Sequence, residues 1–197
     1  DLDTANDNEL EFITFLASKF CNTPYAYITL IDQSLLTIKS QFGSNYKEMP
    51  KKLSFCKYTL RQKDILIIPN ARLDKRFTEN PFVNTLMNNL IFYAGISLTT
   101  GNGYNIGTLY VTDKVSRTLT EDQEKTLIIM AKYVVKHFEL KRQNRKILIE
   151  NIEGIFKKNR RSPIFYVMVP FHFPQVLCLA MVYLSTFRAE PPQVVLR

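Results

Sequence analysis

The first segment, NDNELEFITFLASKF, spaces its apolar residues as a helix does: Leu10, Ile13, Ala17 and Phe20 share one face. Asn6 with Glu9 three residues on predicts the N-terminal cap, and Asn22 and Pro24 predict the end. The period then changes. YAYITLID (25–32) is β-branched and aromatic, and LTIKSQFG (36–43) alternates. That alternation puts Leu36, Ile38, Ser40 and Phe42 on one face, with Thr37, Lys39 and Gln41 on the other. Asp32-Gln33-Ser34 between them is turn chemistry, so a hairpin is expected.

SFCKYTLRQ (54–62) predicts a short helix capped by Ser54, and ILIIP (65–69) a short apolar strand closed by proline. PNARLDKRFTENPFV (69–83) fits neither period, yet it carries Phe77, Phe82 and the close charges Asp74, Lys75, Arg76 and Glu79. FYAGISLTT (92–100) and YNIGTLYVTD (104–113) read as strands joined by Gly101-Asn102-Gly103, a strong hairpin signal. Gly95 and Gly107 within them predict bulges or places of close backbone approach.

TEDQEKTLIIMAKYVVKHFEL opens with a capping box, Thr120 to Gln123, and acids in its first turn. Leu127, Ala131, Val134 and Phe138 form a stripe at spacings of four and three. At the same phase the stripe meets Lys141 and Arg145, then returns to Leu148, Ile152 and Ile155. The first half of this helix is expected to pack on the body and the second to continue as a seam between two chains. His137 is expected to face solvent. The element order predicts an α+β domain with a mostly antiparallel sheet, the first and last helices on one face and the irregular 44–91 segment over the other.

The formal net charge of +8 invites a nucleic-acid reading until it is located. Residues 1–131 hold 14 basic and 14 acidic side chains, whereas residues 132–161 hold 10 basic and 3 acidic. The charge therefore belongs to one helical segment, read as a solvated face, and no nucleic-acid partner is expected. Three scattered cysteines and two histidines give neither a disulfide framework nor a metal site. There is no leader-like start, and a cytoplasmic setting is expected; opening on Asp1, the chain reads as a piece of a longer protein. From Lys157 the composition changes: KKNRR precedes 26 residues without a formal charge, interrupted by Pro170, His172 and Pro174. Residues 159–197 are read as an atypical hydrophobic tail outside the fold. It is either a poor membrane segment, with membrane contact only if 164–187 is native, or foreign sequence.

Six runs in order, YAYITLID, LSFCKYTL, LIIPNARLDKRFTENPFV, FYAGISLTT, GYNIGTLYVTDK and LTEDQEKTLIIMA, resemble a GAF domain of the bacterial sensory kind that precedes histidine kinases and nucleotide cyclases. The resemblance covers residues 8 to 142. It implies a GAF/PAS-like twisted antiparallel sheet of five or six strands, terminal helices on one face and a ligand pocket roofed by loops and short helices on the other. The domains so implied are a sensory domain over 1–142 and a signalling helix over 120–158. The implied pocket residues are Phe55, Cys56, Asp74, Arg76, Phe77, Asn80, Phe82, Phe92 and Tyr93. Only one of Phe92 and Tyr93 can face the pocket, because strand side chains alternate.

Each of these residues has a plainer alternative. Phe77 and Phe82 are equally readable as core, Asp74 and Arg76 as a pair that pins the loop, and Cys56 as a small buried hydrophobe. Relatives often read Ala-Pro where this chain has Ile96-Ser97. The Asn-Lys-Phe…Asp-Glu pattern of cyclic-nucleotide-regulated members is incomplete, and the cysteine and histidine context for a bilin is missing.

The resemblance implies a non-catalytic, small-molecule-sensing module of a cytoplasmic signalling protein. Its ligand is unidentified, it names no cofactor, and it forms a homodimer through its terminal helices. The alternatives are a dimerisation module with a vestigial pocket and a thiol-dependent reductase of GAF fold.

Overall fold

The structure is a computed structural model and describes residues 7–31, 35–45, 48–50, 54–84 and 89–159. Asn6, the 32–34 turn and the 159–197 tail, apart from Asn159 itself, lie outside those residues, and the N-cap position of the first helix is held by Asp7, whose carbonyl accepts the Glu11 N–H, rather than by Asn6 as expected. Two compact units divide the chain, Asp1–Ile149 and Glu150–Arg197.

Among the described residues, the first unit has six strands: β1 Tyr25–Ile31, β2 Leu35–Phe42, β3 Glu48–Pro50, β4 Leu66–Ile68, β5 Phe92–Thr99 and β6 Asn105–Asp113. They form one sheet in the order β3-β2-β1-β6-β5-β4, and every pairing is antiparallel. Four helices accompany it: α1 Asn8–Phe20, α2 Cys56–Thr59, α3 Pro81–Asn84 and α4 Glu121–Asn159. Of the second unit, the described residues are the last turns of α4. Among the described residues, no helix is long and apolar enough to cross a membrane.

One face of the sheet packs on α1 and on the first half of α4. Leu10, Ile13 and Ala17 meet Leu127, Ala131, Val134 and Phe138 over Ala26, Ile28, Phe92, Ala94, Leu109 and Val111. The terminal helices thus share one face, as their apolar stripes predict. Phe20 is the exception, 48% exposed, with Cys21 buried in its place. The stripe advances at 3.6 residues per turn, so position 21 keeps the face centred on Leu10 and Ala17 while position 20 rotates off it. Asn22, at φ 52°, ends the helix. The Thr23 N–H donates to the Ser18 carbonyl and the Asn22 N–H to that of Lys19, a Schellman closure.

The 36–42 alternation does not hold along all of β2. Ile28 pairs with Ser40 and Thr29 with Ile38, so Lys39 is an extra residue at a bulge. Leu36 and Ile38 consequently face the second cluster, whereas Ser40 and Phe42 face the helices, where Ser40 bonds Thr14 at 2.9 Å. The β5–β6 hairpin forms as expected, with Gly103 at φ 82° and the Thr100 N–H donating to the Tyr104 carbonyl. Gly107 adjoins the irregularity of the β5–β6 ladder, where Leu98 pairs with Gly107 but Thr99 with Asn105, whereas the register at Gly95 is unbroken; both glycines mark close approach. A Cβ on Gly107 would stand 1.9 Å from the Thr29 carbonyl oxygen, and one on Gly95 would stand 2.3 Å from the Tyr93 hydroxyl.

The capping box of α4 is formed. The Thr120 N–H donates to Gln123 Oε1 at 2.9 Å, and the Gln123 N–H to Thr120 Oγ1 at 3.3 Å. His137 does not face solvent. Its ring is held 2.7 Å from Asp7 Oδ2 and 2.7 Å from Glu9 Oε2, which joins α4 to the start of α1.

Candidate ligand-facing site

The other sheet face is polar-aromatic where the first is aliphatic. Tyr27 and Thr29 on β1, Tyr93 on β5, and Thr108 and Tyr110 on β6 point to it, and all are buried. Above them lies the irregular 54–84 segment, contributing Phe55, Cys56, Thr59, Ala71, Phe77 and Val83. Five rings stack in series from roof to sheet. Phe77 lies on Phe55 with centroids 4.1 Å apart and planes 5° apart. Phe55–Tyr93, Tyr93–Tyr110 and Tyr110–Tyr27 follow at 5.2, 5.3 and 4.9 Å. Offset stacks of this kind add to the burial of each ring.

Beside the rings runs a chain of hydroxyls ending on a thiol. Thr108 Oγ1 donates to Cys56 Sγ at 3.1 Å, so the 2.8 Å bond between Thr29 and Thr108 must take its proton from Thr29. The Tyr93 hydroxyl reaches the same sulfur at 3.8 Å and pairs with Thr59 at 2.7 Å. Ser54 starts the covering segment by accepting the Cys56 N–H at 3.1 Å. Burial pushes the Cys56 thiol above its usual range, although hydrogen bonds from Ser54, Thr108, Tyr93 and Thr29 pull the other way. Burial likewise holds the Tyr93 and Tyr110 phenols well above the tyrosine range. The Cys56 thiol and the Tyr93 and Tyr110 phenols are therefore neutral near pH 7.

Phe55, Cys56, Phe77 and Tyr93 come together in this cluster, and Phe82 packs half-buried against it. Phe92 does not; it is fully buried on the helix face, since strand alternation sends its side chain opposite to that of Tyr93. Asp74 and Arg76 form a bidentate pair at the surface, with Nη2–Oδ2 at 2.6 Å, and the Arg76 N–H also donates to Asp74 at 3.0 Å. The guanidinium lies over Tyr58 and Phe77 at 5.4 and 5.3 Å. The pair therefore fixes the loop and shields the outermost ring. Asn80 accepts the Phe82 N–H at 2.9 Å and starts α3.

Tyr27, Tyr110, Thr29, Thr59 and Thr108 are site residues beyond those expected. The strands did signal four of them: Tyr27 and Thr29, and Thr108 and Tyr110, occupy alternate positions along strands whose intervening residues are mostly aliphatic. A surface cleft lies elsewhere, between the end of α1 and the loop after β6, lined by Lys19, Asn22, Thr23, Asp113 and Arg117 among others. Among the described residues, no group of histidine, cysteine and carboxylate side chains is arranged to hold a metal ion.

The architecture matches solved structures. Over 74% of this chain and 90% of the other, it superposes on the GAF domain of a phosphoenolpyruvate-protein phosphotransferase from Coxiella burnetii, with TM-score 0.60 and 11% identity. The fold is that of a GAF domain. The GAF fold also relates the chain to a free methionine-R-sulfoxide reductase from Neisseria meningitidis, with TM-score 0.57 and 14% identity over 73% of this chain and 84% of that one. In sequence it is 33% identical over 116 residues to a cyclic di-GMP phosphodiesterase of Pseudomonas aeruginosa. That match covers 59% of this chain and 20% of the phosphodiesterase. No family model matches the chain.

Proposed function

We propose that this GAF-fold body is the small-molecule-sensing module of a larger signalling protein. The observation that carries the reading is the asymmetry of the two faces. One binds α1 and α4 into an aliphatic core; the other is closed by a non-sheet segment over neutral hydroxyls and rings. A ligand entering the second face would bear on the same strands that hold α1 and α4. If it binds one helix packing better than another, the helix equilibrium shifts. A coupling of about 1–3 kcal/mol is the usual scale. The output domain would be a histidine kinase, a nucleotide cyclase or, as in the Pseudomonas relative, a cyclic di-GMP phosphodiesterase, in a cytoplasmic homodimer.

Purification under native conditions followed by mass spectrometry of the released small molecules tests this. A compound retained near one per chain is expected. The directly stacked rings favour a second reading, a dimerisation module whose pocket is filled by its own side chains, and an empty chain would select it. A thiol reductase is disfavoured, because Cys21 belongs to the helix face and Cys56 to the other. Both thiols are buried and raised, Cys21 to about 12.

A further inference from the structure

The cleft between the end of α1 and the loop after β6 has a volume of about 480 Å³, the size of a small-molecule site. It shares no residue with the aromatic cluster. The groups that would draw a cation into it are already engaged. The last four carbonyls of α1 accept from within the chain: Ala17 from the Cys21 N–H, Ser18 from that of Thr23, Lys19 from that of Asn22, and Phe20 from the Gln123 amide. The Asp113 carboxylate accepts from the Lys114 and Val115 N–H groups and from Arg117.

Donors are what remain. Arg117 spends its Nε on Asp113, and among the described residues its two Nη groups have no partner. The Asn22 side-chain amide has none there either, and the Lys19 ammonium rests only over the Phe15 and Phe42 rings, at 5.6 and 5.3 Å. Lys19 and Arg117 against Asp113 leave the lining with a net charge of +1, and the acids in the first turn of α4 are not part of it. Thr23 adds an independent sign. It lines the cleft at 5% exposure, and its Oγ1 is buried with no partner among the described residues. Such a hydroxyl is costly to the fold and is relieved by any acceptor that reaches it. One staggered step about χ1 turns it toward the cleft, and no hydrogen bond is broken in the process.

We propose that this cleft is a ligand site separate from the sheet face, and that it takes the phosphoryl group of a small organic phosphate. Thr23, Asn22 and Arg117 are three donor side chains for three phosphoryl oxygens, and Arg117 and Lys19 meet the double negative charge. The volume exceeds what a phosphoryl group fills. Pro24 and the half-exposed Val115 give the rest of the molecule an apolar wall.

Calorimetric titrations of the full chain at fixed ionic strength test this, with phenyl phosphate as the probe and benzoate as its carboxylate counterpart. Phenyl phosphate is expected to saturate at one per chain and to bind at least about tenfold more tightly than benzoate. Thr23→Val should weaken it about fivefold, and Arg117→Lys, which keeps the charge but loses the planar fork, about tenfold. Lys63→Gln, exposed on the loop before β4, should leave it unchanged. In denaturant titrations without ligand, Thr23→Val removes an unpaired hydroxyl, so its midpoint is expected at or above that of the wild type. Absence of saturation, equal or tighter benzoate binding, an unchanged Thr23→Val, an equal loss in Lys63→Gln, or a lowered Thr23→Val midpoint each overturns the proposal. The sensor reading is untouched by any of these results, because it rests on the other face of the sheet.

Discussion

Asp7 shows how one side chain ties the two ends of the domain together. Its carboxylate accepts from His137 at 2.7 Å and from Lys141 at 2.5 Å. Burial raises its pKa, but the hydrogen bonds from Lys141 and His137 outweigh that and hold it below the usual carboxylate range. A carboxyl that is more acidic folded than unfolded stabilises the fold above the unfolded value of about 3.9. That contribution is lost as pH falls through the lower folded value. Asp7→Asn is therefore expected to lower stability at pH 6 by about 1 kcal/mol or less, since the site is partly solvated. The gap from wild type should close by pH 2 to 3. Urea midpoints at the two pH values check this; a gap that widens in acid would contradict it. His137 reads as a surface position because its partners lie 130 residues away in sequence. No local pattern carries that information. Gly107 is the converse: a glycine within a strand signals close approach, and the Thr29 carbonyl supplies it.

At the scale of elements, local chemistry accounts for the ends and periods. The capping box, the Gly101–Gly103 turn and the apolar stripes of α1 and α4 are short-range physics, legible in a few consecutive residues. The β2 bulge is not legible, because it arises where β2 must match β1 across the sheet, and Lys39 carries no mark of it. The 69–83 stretch lies between these cases. Its apolar residues announce burial, but only the folded chain shows that Phe77 lies flat on Phe55 and edge-on to Tyr58. Phe77→Ala is expected to cost about 3–5 kcal/mol, as for other fully buried phenylalanines. Thermal or denaturant unfolding would read that loss directly, and a cost below about 1 kcal/mol would show that the ring carries little of the packing on this face.

Over the whole molecule, the aliphatic face anchors α4, and α4 then continues to Asn159 as one helix. Leu127, Ala131, Val134 and Phe138 are buried, whereas Leu148 and Ile155 on the same stripe are 52% and 56% exposed. Apolar residues repeating at this spacing suit a second copy of the helix. Leu148→Lys with Ile152→Lys is expected to turn dimers into monomers in sedimentation velocity without changing the melting of the body. A dimer that survives both changes would place the interface elsewhere. The sequence alone determined the type of the longer segments, several of their ends and that two helices back one sheet, because capping, turn chemistry and periodicity act over a few residues, whereas the short edge strand β3 at Glu48–Pro50 carried no such signal. Tertiary structure alone decided that β2 changes faces at Lys39, that Phe92 turns from Tyr93's cluster into the helix core, that His137 meets Asp7, and that the buried Tyr110 hydroxyl has no hydrogen-bond partner among the described residues. Each of these depends on which distant residues the folded sheet brings within a few ångströms, a relation that no local spacing encodes.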